Sequence, residues 1–155
     1  MPDDNQTNMI VEIDCGIQNA DLDIEGFKNL SMAICRRFDV TDAVVSIAIA
    51  GDKEIADVNE KFLQKSNTTD VISFDLTEPG ASERVFDLVI NAAEGARQAE
   101  ERAHPLNAEL ALYITHGLLH NLGFDDADEE DARRMHLTED DILTQAGYGV
   151  IYRHG

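Results

Sequence analysis

His116 and His120 stand four residues apart in the run Thr115-His116-Gly117-Leu118-Leu119-His120, which continues as Asn121-Leu122-Gly123-Phe124-Asp125-Asp126. On a helix that spacing sets two imidazoles roughly 40° apart around the axis and about one turn along it, so both can reach one small cation. Gly123 offers the left-handed residue that ends a helix. The turn after it can swing Asp125 and Asp126 back toward the pair. Two imidazoles and a carboxylate make a reasonable transition-metal site with room for water. The plainer alternative is a pair of half-buried polar histidines beside a loop. The zinc-peptidase pattern HExxH needs a glutamate after the first histidine as general base. Here that residue is Gly117, and peptidase chemistry lacks its base. A glycine in mid-helix costs about 1 kcal/mol against alanine, so some neighbour is expected to approach the backbone closely there.

Periodicity predicts the elements that carry these residues. Residues 1–8 are polar and read as a disordered lead-in. Val11, Ile13 and Cys15 alternate with acids, the period of a half-buried strand, and strands are likewise predicted over 45–49, 71–74 and 85–90. Asp23 can cap a helix whose apolar positions are Phe27, Leu30, Ile34 and Phe38. A short helix carries Ile55, Val58 and Phe62, and residues 92–101 are alanine-rich and helical. Pro105 suits the first position of a helix over 105–122, with Leu106, Leu110, Tyr113 and Ile114 leading to His116. A last helix starts near Asp128, Glu129 and Glu130, acids that suit the positive end of a helix dipole. Its stripe is Ala132, Met135, Glu139, Ile142 and Ala146; the glutamate lies at a wet edge or is paired inside. The order β-α-β-α-β-β-α-α-α points to α+β, or α/β with a small mixed sheet, packed with about five helices.

Length and composition set the outer bounds. At 155 residues the chain suits one domain, 1–155, with a real core. No apolar run approaches the ~20 residues that span a bilayer, and the polar start is no signal peptide; a cytoplasmic location and no membrane partner are expected. Cys15 and Cys35 match no metal or redox spacing and read as core residues. A formal net charge of −19 argues against a broad basic face for nucleic acid. It leaves room for a local patch, or for a site where a bound cation supplies the positive charge.

Two stretches carry a resemblance to a known family. Residues 116–126 resemble the HGxLHLxGYDH signature of the YbeY family, metal-dependent endoribonucleases that act as rRNA maturation factors. They match at His116, Gly117, Leu119, His120, Gly123 and Asp125, with Phe124 in place of tyrosine. Upstream, residues 59–74 (NEKFLQKSNTTDVISF) are similar to the family's NxxYRxKDxPTDVLSF, matching at Asn59, Lys65, Thr69, Asp70, Val71, Ser73 and Phe74. Residues 87–90 are similar to its GDIVI strand, and Met135 and Glu139 to the tail after the metal motif. The likeness runs from about Ile47 to Leu143. It implies a zincin-like metal helix in the α+β fold and one divalent ion, zinc for preference, on His116, His120 and Asp126. It further implies cleavage of single-stranded RNA in small-subunit rRNA processing and ribosome quality control, with ribosomal or assembly proteins as partners. Lys65, Asp70 and Ser73 become substrate-side candidates and Asp125 a candidate proton carrier.

Two positions depart from that pattern. Asp126 stands where the family has a third histidine; its carboxylate is a sound divalent-metal ligand on a shorter side chain. Leu63 stands where the family has an arginine thought to handle phosphate. Lys61 and Lys65 flank it, and with Arg84 they are the cations nearest the site in sequence, though lysine offers no bidentate fork. Each residue also has a structural reading. Asp70 can cap the turn into its strand, Ser73 can fill the sheet, Lys61 and Lys65 can be surface lysines, and Glu139 can partner a histidine or a backbone group. His104 precedes a helix start, while His136 and His154 have no evident partner. Two rival functions are a non-catalytic ribosome-assembly factor with a degenerate site and a metal-dependent phosphoesterase of small substrates.

Overall fold

The computed structural model describes residues 8–17, 21–63 and 69–149. Along the chain come β1 (Asn8–Cys15), α1 (Ile24–Arg37), β2 (Asp42–Ala50) and α2 (Asp52–Val58), which runs into a π-helical turn (Asn59–Leu63). Then follow β3 (Val71–Asp75), β4 (Arg84–Asn91), α3 (Ala92–Arg102), α4 (Leu106–Asn121) and α5 (Glu129–Gln145). This is the predicted order, an α+β fold with five α-helices and one mixed sheet among the described residues. The strands lie in the order β1-β2-β4-β3. β1, β2 and β4 are parallel, and β3 pairs antiparallel with β4.

Register explains which side is buried. Ile13, Ile47, Leu88 and Ser73 line up across the four strands, and side chains alternate faces along each strand. Val45, Ile47, Ile49, Phe86, Leu88 and Ile90 therefore share one face, and all are buried in the core with residues of α1, α4 and α5. On the other face Glu12, Ser46 and Asp87 align, exposed or half-buried. α4 is buried nearly all round, from Ala108 to Leu119 apart from His116, as befits a helix between a sheet and other helices.

Several boundaries differ from the sequence reading. Asn8 already pairs with Asp42 in β1, so the lead-in does not include it; residues 1–7 lie outside the described residues. Pro105 is the cap residue before α4 and not its first helical residue, with an extended ψ of 150°. Of the two cysteines, only Cys35 is in the core, where burial pushes its thiol up to about 11; Cys15 is exposed at the end of β1. In α5 the stripe is completed by buried Leu143, while Ala146 is the exposed C-cap. Among the described residues no helix is long and apolar enough to cross a membrane.

The corner between β4 and α3 fixes the far wall of the site. Buried Asn91 caps α3, its side-chain oxygen accepting the backbone N–H groups of Ala93 and Glu94 at 3.0 and 3.1 Å. Its amide donates to Asp52 at 2.8 Å and to the Thr69 carbonyl at 3.1 Å. Arg97 closes the network with two hydrogen bonds of 2.9 Å to Asp52. Thr69 and Asp70, at the mouth of β3, are thereby tied to the sheet.

Candidate metal centre

α4 runs across the sheet with Gly117 against it. A Cβ at Gly117 would lie 3.0 Å from Leu88 Cδ2 and 3.1 Å from Val71 Cγ2. The close neighbour expected from a mid-helix glycine is therefore the sheet itself. This contact presses α4 onto β3 and β4 and sets the depth of the flanking histidine. The helix stops as predicted. Gly123 takes φ +104°, its N–H and that of Phe124 bond back to the carbonyls of His120 and Leu119 at 3.1 and 2.9 Å, and Phe124 packs edge-on against Phe38 with centroids 5.4 Å apart. The chain then turns back, and Asp126 comes over the histidines.

The two rings stand nearly perpendicular (83°), and their Nε2 atoms are 3.1 Å apart. Each ring is oriented through its other nitrogen. His116 Nδ1 is 2.6 Å from the Glu139 carboxylate, and His120 Nδ1 is 3.2 Å from the Phe124 carbonyl. Both partners only accept, so both Nδ1 atoms donate and both Nε2 atoms are left to offer lone pairs. Asp126 Oδ2 lies 4.0 Å from each Nε2. Three acceptors that face one another at such distances need a proton or a cation between them. Ligand atoms about 2.0–2.2 Å from a common centre are separated by about 3.4 Å at the tetrahedral angle, and the observed 3.1 and 4.0 Å bracket that value. The donor set therefore fits a divalent transition ion, and His116, His120 and Asp126 together could hold one. The shorter aspartate reaches because the chain turns sharply at Gly123.

Glu139 settles the ambiguity of the α5 stripe. It is 1% exposed, paired inside with His116, so the stripe's one acid is the group that orients a ring. Burial alone disfavours charge on His116, but the hydrogen bond to Glu139 and the negative charges of Glu139, Asp70 and Asp126 outweigh it, and its pKa is raised. In metal-free protein the His116 imidazolium is thus expected to persist to higher pH than a free histidine, checked by NMR titration of its Cε1 proton. Because the folded pKa lies above the unfolded one, this pair's contribution to stability is complete below the unfolded value and is lost as pH rises through the folded value.

A cleft of about 400 Å³ opens beside His116, lined among others by Asp70, Glu139, His136, Tyr113 and Arg102. Asp70 also accepts the Val71 N–H at 2.8 Å and the Thr69 hydroxyl at 3.3 Å, so it both fixes the turn into β3 and faces the cleft. Ser73 sits opposite Leu88 in the β3–β4 ladder and is not among the described residues lining the cleft. Asp125 is exposed, accepts the Ala127 N–H at 3.1 Å and faces a separate pocket with Asp131 and Arg134. Lys65 lies outside the described residues, as does His154. Lys61 is exposed on the π-helical turn. Arg84 stacks over Phe86 at 5.0 Å and pairs with Asp75 at 3.7 Å, and it does not line this cleft. Arg102 does, and sequence reasoning missed it. Its signal was the short 103–105 connection, which folds the end of α3 back against the start of α4.

The chain matches the family model described as "Endoribonuclease YbeY" over residues 13–147. The endoribonuclease YbeY of Anaeromyxobacter sp. (strain Fw109-5) is 40% identical over 116 residues, 74% of this chain and 60% of that protein. That of Syntrophotalea carbinolica is 32% identical over 145 residues, 88% of this chain and 95% of that protein. The chain spans 60% of the length of its two Anaeromyxobacter relatives. Among solved structures, the solution structure of TM1509 from Thermotoga maritima aligns with a TM-score of 0.58 at 20% identity, covering 88% of this chain and 91% of that one. At that identity the likeness is one of fold.

Proposed function

The chain belongs to the YbeY family, and from this we propose that it is a metal-dependent endoribonuclease of single-stranded RNA, with His116, His120 and Asp126 as ligands of one divalent ion, zinc for preference. One observation carries the reading: two Nε2 atoms and a carboxylate oxygen converge, with both Nδ1 atoms already engaged and His116 lining a cleft. A bound ion there supplies Lewis acidity toward a phosphate and activates water for attack. The residues do the rest. Glu139 holds the His116 ring with Nε2 outward, Phe124 does the same for His120, and Gly117 seats the pair against the sheet. Asp70 faces the path a substrate takes past His116, and Lys65 and Ser73 are further substrate-side candidates. Asp125, exposed on the loop beside Asp126, is the candidate proton carrier. The chain acts as a single cytoplasmic domain, with small-subunit rRNA as the RNA to be matured and ribosomal or assembly proteins to bring it there. A net charge of −19 suits an enzyme that does not bind RNA indiscriminately.

Substrate comparison separates this reading from that of a small-molecule phosphoesterase. The zinc-loaded protein is expected to cut a single-stranded oligoribonucleotide internally and to leave bis(p-nitrophenyl) phosphate nearly untouched. The opposite preference would overturn it.

A further inference from the structure

Among the described residues lining the cleft beside His116, one arginine and no lysine is present, Arg102 at the end of α3. It is not a loosely placed surface cation. Its Nη1 donates to Glu109 Oε2 at 3.1 Å, and Glu109 is fully buried on α4. The other carboxylate oxygen, Oε1, lies 2.5 Å from His104 Nε2. A buried carboxylate is expensive unless it is paired and hydrogen-bonded, so a chain that keeps one there holds the arginine in a fixed pose. Arginine has five donors in a rigid fork. The hydrogen bond to Glu109 uses one nitrogen, and about a third of the side chain stays exposed toward the cleft.

Tyr113 lines the same cleft, but its hydroxyl is sealed inside, next to the Glu109 carboxylate, and is not open to a ligand. Burial, and then the negative charge of Glu109 and a hydrogen bond to it, push its pKa up. An arginine fork with donors to spare, in a cleft that also holds Asp70, Glu94 and Glu139, suits a tetrahedral oxyanion. Glu109 and His116 are seven positions apart on α4, about 10 Å along its axis. The cleft thus joins the candidate metal centre to Arg102.

We propose that Arg102, held in place by Glu109, binds a backbone phosphate of single-stranded RNA that flanks the one presented to His116, His120 and Asp126. This rests on the nuclease reading above. It gives the acidic cleft a local cation for the substrate, one that the sequence pattern around Leu63 does not provide. Arg102 is the binding residue here, and Glu109 is a positioning residue that acts through Arg102.

The test is binding and cleavage of a single-stranded oligoribonucleotide by the zinc-loaded full chain across a salt series. A phosphate contact on single-stranded RNA contributes about 0.7 to the slope of log affinity against log salt. Arg102→Gln is expected to reduce the slope by about that amount, raise KM about tenfold or more and leave kcat and zinc content nearly unchanged. Arg102→Lys, which keeps the charge without the fork, should retain the slope with a smaller rise in KM, and this variant decides the matter if Arg102→Gln does not fold. An unchanged slope and KM in folded Arg102→Gln, with wild-type cleavage normal, would overturn this inference alone. Zinc-loaded wild-type protein that neither binds nor cuts the RNA would overturn the nuclease reading and this inference with it.

Discussion

Replacing His116 with alanine is expected to remove stoichiometric metal binding and to lower RNA cleavage by about a thousandfold, with the fold retained. A metal ion contributes several kcal/mol of charge stabilisation to a transition state, and about 4 kcal/mol corresponds to three orders of magnitude in rate. In the proposed centre His116 would supply one of the two imidazole ligands found among the described residues, and Asp126 with His120 alone leaves two donors about 4.0 Å apart. The ring also covers part of buried Glu139, so the carboxylate loses its partner. His120→Ala should have the same effect on metal and cleavage with a smaller effect on stability, because the group it leaves unpaired is a carbonyl and not a buried acid. Metal content by elemental analysis, cleavage of an oligoribonucleotide and thermal unfolding measured together separate these contributions.

Glu139 gives the second large effect, although it touches no substrate. Partners that orient a metal-binding histidine typically contribute 10–100-fold in metal affinity. Glu139→Ala removes the 2.6 Å bond to His116 Nδ1 and frees the ring to rotate, so a loss of about 100-fold in zinc affinity is expected. Glu139→Gln keeps an acceptor at the same position without the charge and should cost about tenfold. The graded pair distinguishes orientation from mere packing, since a residue needed only to fill space would show no difference between glutamine and glutamate. Zinc competition against a chromophoric chelator reads both.

The chain's local chemistry made the scaffold and most of the centre legible. His116, His120 and the stop at Gly123 follow from helix geometry alone, and Asp23, Asn91 and Asp128 cap helices where such residues usually do. Glu139 stood out as an acid in an apolar stripe, and its partner is the first histidine. What periodicity does not encode is which strands become neighbours. The sheet order β1-β2-β4-β3 and the meeting of Gly117 with Leu88 and Val71 depend on long-range packing. Cys15 reads as a core residue because it matches no metal or redox spacing, yet it is exposed as the last residue of the edge strand β1. Arg102 was invisible for a different reason. Its partner Glu109 is seven residues away across a helical hairpin, and a lone arginine at a helix end has an ordinary surface reading. Asp125 and Asp126 are equivalent in sequence, and only the turn assigns one to the histidines and the other to the neighbouring pocket.

The measurement closest to the centre of this account is RNA cleavage by protein stripped of metal with a chelator and then titrated with zinc. Cleavage is expected to vanish on stripping and to return in full at one equivalent of zinc in the wild type, with no return in His116→Ala at the same zinc. Cleavage that persists undiminished in the stripped protein, or that zinc restores equally in His116→Ala, would contradict a metal centre on His116, His120 and Asp126. Zinc bound at one equivalent with no cleavage at all would leave the non-catalytic assembly factor as the better reading of the fold.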